Sequence, residues 1–246
     1  MTASGWVWLA AASVGAVLDW YAVIRGQRRL ERVAKPAVLV CLILAAIVAE
    51  PRQHDVHGWL VAALVLGLIG DLALVWQSEP VLEPVPVSVG GRSDLPRVPW
   101  MRPEREPDPR SDLFFLLGLG SFLLGHLCYS VAMLRFGLDR ISVAFGLILI
   151  LIVLFAFGYR IIAGAHALGG NQLTIGVTAY IVALGTTVVL GIGTTQLLVA
   201  YGVLLFALSD LVLAGDRFVQ VRTWAPITVA VTYHLAQALL LLGLLR

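Results

Sequence analysis

Charged residues are scarce in this chain. Only 13% of its 246 residues are Asp, Glu, Lys or Arg, and 59% are hydrophobic, whereas soluble domains average about 25% charged residues. The mean hydropathy is +0.91. Because so few charges cannot cover the surface of a soluble domain, the composition predicts an integral membrane protein with the lipid bilayer as its partner. A net charge of only +2 argues against a nucleic-acid partner.

Cysteines and the common hydrolase motifs are also nearly absent. The two cysteines, Cys41 and Cys128, both lie inside apolar runs, and their spacing fits neither a zinc site nor a disulfide framework. The sequence contains no Gly-x-Ser-x-Gly and no His-Glu-x-x-His motif, which argues against a serine hydrolase or a zinc peptidase. We therefore expect no metal and no cofactor. A metal held by acids and histidines of different helices is a less favoured alternative.

Long apolar runs dominate what is present. A helix needs about 20 apolar residues to cross a bilayer, and runs of this kind predict an all-α fold, a bundle of about eight transmembrane helices in a single domain, 1–246. Six of the seven tryptophans lie near the ends of these runs, where membrane interfaces favour them. The predicted helices are 6–24, 35–50, 58–77, 112–135, 140–159, 175–192, 196–215 and 223–245.

The basic residues predict the orientation of the bundle. With the N-terminus outside, thirteen of the seventeen Lys and Arg residues fall in cytoplasmic loops, as the positive-inside rule requires. Both termini are then outside. One cytoplasmic loop, 78–111, holds eight of the eleven prolines and is predicted to be a disordered connector. The strong preference for arginine over lysine points to a bacterial plasma membrane.

Two acids lie inside these apolar runs. Asp71 and Asp210 each occupy a small-Asp-Leu-x-Leu pattern, and an ionisable group at bilayer depth costs at least about 2.5 kcal/mol, so it usually marks a functional site. Each acid is followed by a helix that carries a histidine, His126 in one case and His234 in the other. This order suggests a 4+4 internal repeat.

Other polar residues are predicted at similar depth, in the central or cytoplasmic half of the bundle. A single shared pocket is the simplest arrangement, because charges that face lipid would be left unsatisfied. Asp19 and His234 have structural interpretations as well, the first as a partner of Arg25. The candidates for this pocket besides the two acids and His126 are Lys35, Tyr129, Ser209, Arg217, Tyr233 and Gln237.

The order of these motifs resembles the YhhN-like family of eight-helix membrane proteins. The motifs are Lys35-Pro36, Gly70-Asp71, the segment 122–129 with His126 and Tyr129, Ser209-Asp210 with Arg217-Phe218, and Thr232-Tyr233-His234-Leu-Ala-Gln237. The resemblance covers nearly the whole chain except the proline-rich loop, and it departs at His234, where the family more often has tyrosine. It implies a lysoplasmalogenase, which cleaves the vinyl ether bond of a lysophospholipid to a fatty aldehyde and a glycerophospho-choline or -ethanolamine.

Two buried carboxylates suit this chemistry. Vinyl ether hydrolysis needs a proton on the β-carbon, which creates an oxocarbenium-like cation, and then a water. We expect Asp71 and Asp210 to share the roles of general acid and cation stabiliser, His126 to relay a proton, and Lys35 or Arg217 to bind the headgroup phosphate. A proton-coupled transporter of small solutes and a non-catalytic lipid-binding protein are the alternatives. The sequence does not predict the oligomeric state.

Overall fold

The computed structural model describes residues 2–49, 54–75 and 109–245, and these residues are helical apart from short connections. Six helical segments in this part of the chain are long and apolar enough to cross a membrane, so the protein is an integral membrane protein. The predicted loop 78–111 lies outside the described residues up to position 108. The helices are α1 Ala3–Arg25, α2 Arg28–Ile47, α3 His54–Val75, α4 Pro109–Phe136, α5 Arg140–Val153, α6 Tyr159–Gly193, α7 Leu197–Phe218 and α8 Ala225–Leu244, with a π-helical turn Leu154–Gly158 between α5 and α6.

The junction of α1 and α2 determines the depth at which Lys35 lies in the bundle. Gly26 ends α1 with a φ of 64°, a left-handed conformation that glycine adopts without a steric penalty. The chain then enters α2 at Arg28, seven residues before Lys35. The sequence placed Pro36 at the start of this helix, which is wrong, because Pro36 lies inside α2. Because α2 starts earlier than predicted, Lys35 lies two turns into this helix, at the level of the last turns of α1.

The segment from Arg140 to Gly193 reverses direction. Helical geometry continues from α5 through the π turn into α6, then breaks at Gly169 and Gly170, where Gly170 has a φ of 59°. The amide of Asp139, at the start of α5, donates a hydrogen bond of 2.8 Å to the carbonyl of Gly193, at the end of α6. Residues 140–168 and 171–193 therefore run antiparallel.

The remaining helices pack as antiparallel neighbours. The most extensive contacts join α3 to α4, α7 to α8 and α1 to α2, and α8 also contacts α1, α2 and α3. Within the described residues, α5 packs against α6, and its Cα atoms stay more than 8 Å from those of α4 and α7. The result is a bundle with a large core that includes Leu39, Leu60 and Leu240. A smaller buried cluster joins α4, α6 and the end of α7, and consists of Phe115, Ile161, Ala165, Val177 and Phe218.

Candidate active site

Asp210 is the centre of a three-residue cluster. Its Oδ2 atom accepts a hydrogen bond of 2.6 Å from the hydroxyl of Tyr180 on α6, and it lies 3.3 Å from Nε2 of His126 on α4. The His126 Nε2 atom is also 3.2 Å from the Tyr180 hydroxyl. The three side chains, here called the Asp210 cluster, come from three helices and converge on one carboxylate oxygen.

The backbone beside His126 is fixed by neutral polar groups. The hydroxyl of Thr187 donates a 3.0 Å hydrogen bond to the carbonyl of His126, and it lies 3.0 Å from the hydroxyl of Ser130. All three residues are buried. This contact ties α4 to α6 at the level of the cluster, so the imidazole approaches Asp210 from a rigid helix.

An apolar groove leads to this cluster. Its lining comes from α4, α5, the π turn, α6 and α7, with Leu74 from α3, and most of it is aliphatic or aromatic. Asp210 and Tyr180 line the groove, and 11% of the Asp210 side chain is exposed. A ligand in this groove would have an apolar body and would meet a carboxylic acid and a phenol on one wall.

One end of the groove carries the Arg217 side chain. The guanidinium carbon lies 4.4 Å from the centre of the Phe115 ring, and this ring meets Phe218 edge to face at 6.1 Å. Arg217 follows Asp210 by seven residues on α7, which places the two on the same helix face about 10 Å apart along the axis. A phosphate bound by Arg217 would therefore lie two turns from Asp210.

Asp71 belongs to a different cluster. It is completely buried, its Oδ1 atom lies 3.5 Å from Nζ of Lys35, and its Oδ2 atom accepts a 3.0 Å hydrogen bond from the hydroxyl of Tyr233. The neighbouring Gln237 accepts a short hydrogen bond from the hydroxyl of Tyr129. These five residues, the Asp71 cluster, join α2, α3, α4 and α8.

Several buried polar atoms beside the Asp71 cluster have no hydrogen-bond partner among the described residues. They include both carboxylate oxygens of Asp19 and Nε2 of His234. Trp20 donates a 3.2 Å hydrogen bond to Nδ1 of His234, so Nδ1 is the acceptor and the ring proton is on Nε2. Asp19 Oδ2 lies 4.0 Å from that same Nδ1. Asp19 therefore lies beside α8 without a hydrogen bond to it, and the pairing with Arg25 that one sequence interpretation suggested is not found among the described residues.

The predicted shared pocket is divided in the structure. The ring of Phe206 lies between the two clusters, with its centre 4.6 Å from the His126 ring and 5.5 Å from the Tyr233 ring. His126 and Tyr129 leave the same helix but join different clusters. Ser209 joins neither, because its hydroxyl donates to the Val229 carbonyl at 3.3 Å.

Tyr180 was not predicted as a site residue from the sequence. This residue is the single tyrosine between Tyr159 and Tyr201, in an otherwise apolar and threonine-rich helix, and no motif drew attention to it. The one usable indication was the tyrosine side chain itself, since a buried tyrosine usually finds a hydrogen-bond partner.

Among the described residues there is no group of three or more His, Cys, Asp or Glu side chains that would hold a metal ion.

Comparisons with known proteins agree on one family. The YhhN family matches residues 109–244. A Mycobacterium bovis protein named lysoplasmalogenase is 27% identical over 222 residues, 89% of this chain and 72% of that protein. Lysoplasmalogenase TMEM86B of Sus scrofa is 29% identical over 214 residues, 84% of this chain and 74% of that protein. No solved structure matches this chain. Because the matched segment is more than half of the 246 residues and contains the whole Asp210 cluster, the chain belongs to the YhhN family, as the sequence motifs predicted.

Proposed function

We propose that this protein hydrolyses the vinyl ether bond of a lysoplasmalogen, with Asp210 as the catalytic acid. The observation that carries this proposal is the position of Asp210 on the wall of an apolar groove, held by Tyr180 and His126. The names of the relatives supply the reaction. The groove supports a substrate with a long apolar chain, and Arg217 at its end supports an anionic headgroup.

The dimensions of the site suit a lysophospholipid. Its phosphate is separated from the vinyl ether by the short glycerol backbone, and Arg217 and Asp210 are separated by two helical turns, about 10 Å. With the phosphate at Arg217, the vinyl ether reaches Asp210 and the alkenyl chain continues along the groove. The Arg217 guanidinium suits a phosphate at this end because it can donate two parallel hydrogen bonds to two phosphate oxygens.

One carboxyl group can serve both the protonation and the hydration steps of this hydrolysis. The Asp210 carboxyl donates its proton to the β-carbon, and the electrons of the double bond form the new C–H bond. The carboxylate that remains stabilises the cation at the α-carbon. Water then adds to that carbon and loses a proton to the carboxylate, which gives a hemiacetal. His126 carries the hemiacetal hydroxyl proton to the glycerol oxygen as the C–O bond breaks, and this releases the aldehyde.

The Asp71 cluster receives a separate role in this proposal. Asp71 and Lys35 do not line the groove, and the Phe206 ring lies between their cluster and His126. We assign them, with Tyr129, Tyr233 and Gln237, to positioning α2, α3 and α8 behind the site. This differs from the two-carboxylate mechanism that the sequence suggested, and the two versions give different results for an Asp71 variant.

The contacts of the two clusters also support a topology of eight membrane passes with a 4+4 repeat. Asp71 on α3 pairs with α2 and α8, and Asp210 on α7 pairs with α6 and α4. This cross-pairing is what a 4+4 repeat would produce, and the reversal at Gly169 and Gly170 divides 140–193 into two passes. We propose eight passes with both termini outside a bacterial plasma membrane. A reporter fused to the C-terminus should be detected outside, and an inside signal would refute this orientation.

The decisive experiment is Asp210→Asn in purified protein. Aldehyde release from a lysoplasmalogen should fall by at least about a thousandfold, because an amide cannot donate the proton to carbon. An unchanged thermal midpoint in detergent would establish folding. Hydrolysis of an ester lysolipid but not of the vinyl ether by the parent protein would refute the proposed reaction, and a variant within tenfold of the parent would refute Asp210 as the acid.

A further inference from the structure

The groove has an opening in its side wall, between the π turn and α7. In the described part of the chain, no Cα atom of α5 or the π turn lies within 8 Å of a Cα atom of α4 or α7. Phe157 of the π turn and Leu213 of α7 both line the groove, yet they are 47% and 37% exposed. A side chain that faces the groove and the outer surface at once stands at the edge of an opening, and here the outer surface is the lipid.

The end of the groove beside Arg217 is closed by close packing. A Cβ atom on Gly164 would overlap the carbonyl oxygen of Phe218, so the first part of α6 rests directly on the last turn of α7. Phe115 and Phe218 pack together at the same level and are buried. A lipid chain that reaches Asp210 must therefore pass through the side wall, beyond this contact.

The opposite end of the groove is close to Asp210. There the lining stops at Gly185 and Ile150, and a Cβ atom on Gly185 would lie 3.2 Å from Cγ2 of Ile150. Gly185 is only five residues beyond Tyr180, a helical rise of about 7.5 Å, which matches roughly six carbons of an extended chain. The hydrocarbon of one leaflet is about 15 Å deep, half of the bilayer core, so a full lipid chain does not fit in this end.

We propose that the first carbons of the alkenyl chain lie in a side opening between Phe157 and Leu213 that leads into the bilayer, because the closed end of the groove beyond Asp210 holds only about six carbons. The rest of the chain stays in the membrane, because the opening continues into lipid. The protein then selects its substrate by the headgroup and the vinyl ether, and not by the total length of the chain. This inference rests on the proposed function for the identity of the lipid, while the opening itself rests on the packing of the π turn and α7.

The test is Leu213→Trp, which narrows the opening from the α7 side. We expect KM for a substrate with a sixteen-carbon chain to rise at least about tenfold, because an added ring blocks the passage. KM for a six-carbon substrate should change less than about twofold, since that chain fits inside the groove. The matched control is Leu208→Trp, on the same helix and 43% exposed to the surroundings but absent from the groove lining. It should leave both values unchanged.

Three results would overturn the side entrance. These are an equal loss for both chain lengths, no change for either, and a parent enzyme whose kcat/KM varies steeply between eight and eighteen carbons. Failure of the proposed function is recognised separately, as absence of vinyl ether cleavage by the parent. In that case, competition of ordinary 1-O-alkyl lysophospholipids of both lengths against a fluorescent lysolipid tests the entrance without catalysis. The same length-dependent loss in Leu213→Trp would then support it.

Discussion

The hydroxyl of Tyr180 donates a 2.6 Å hydrogen bond to Oδ2 of Asp210. The same carboxylate oxygen lies 3.3 Å from Nε2 of His126, so side chains from two other helices hold it in place. Hydrogen bonds to a charged group in a site that excludes water are stronger than neutral ones. Tyr180 is therefore a positioning residue for the proposed acid, and its contribution can be measured apart from that of the acid itself.

Tyr180→Phe should lower kcat for vinyl ether cleavage by about ten- to a hundredfold and leave KM nearly unchanged, because it removes one fixed donor that stabilises charge at the carboxylate. Aldehyde release at several substrate concentrations separates the two constants. Tyr201→Phe is the control, because Tyr201 is 59% exposed and lies outside both clusters. A rise in KM with constant kcat would make Tyr180 a substrate contact instead.

The all-helical membrane fold was predictable from hydropathy, because six helical segments of the described residues are long and apolar enough to cross a membrane. Asp210 and His126 were predicted for the same reason, since a titratable side chain in such a run is costly and visible. Which of these side chains meet was not predictable. The rotation of each helix decides whether Tyr129 joins His126 or Gln237, and that rotation depends on packing across the whole bundle. The ring of Phe206 lies between the Asp71 and Asp210 clusters. Nothing in the sequence distinguishes this phenylalanine from the other aromatic residues in the apolar runs.

Gly164→Ala should destabilise the protein by about 2 kcal/mol, because the new methyl group would meet the backbone carbonyl of Phe218, which cannot move aside like a side chain. Gly176→Ala is the matched control on the other limb of α6. Its Cβ would lie 3.7 Å from Leu119, an ordinary contact, so stability should hold or rise by about 0.5–1 kcal/mol. Thermal unfolding in detergent compares the two. Equal midpoints would mean that the α6 and α7 backbones do not touch at this end of the groove.

Lowering the pH should destabilise the N-terminal end of α5. Hydrogen bonds from the Ser142 amide and hydroxyl hold the pKa of the Asp139 carboxyl below its ordinary value. Because the pKa is lower in the folded protein, this carboxylate stabilises the fold above its unfolded pKa, about 3.9, and the stabilisation is lost as the pH falls through the folded pKa. Asp139→Asn keeps the cap but not the charge. The parent should therefore melt above this variant at pH 7, with the gap closing below about pH 4. A gap that persists there would exclude the charge as its cause.

The Lys35–Asp71 pair provides the last prediction, since its two ends differ in exposure. The Asp71 carboxylate is almost completely buried, whereas 17% of the Lys35 side chain is exposed. Lys35→Met should therefore destabilise the protein strongly, by about 3–5 kcal/mol, because it leaves a buried charge unpaired. Asp71→Asn should cost less, because the lysine can reach toward water and the amide still accepts the hydrogen bond from Tyr233.

Adding Lys35→Met to Asp71→Asn should then cost little, so the coupling between the two positions should be close to the cost of Lys35→Met alone, about 3–5 kcal/mol. Thermal unfolding of the four proteins measures this coupling. Activity gives the second comparison: Asp71→Asn, once folded, should keep kcat within about tenfold of the parent, in contrast to the loss expected for Asp210→Asn. If folded Asp71→Asn is as inactive as Asp210→Asn, both carboxylates take part in the chemistry. Phe206 would then have to move aside during catalysis so that the two clusters can act on one substrate.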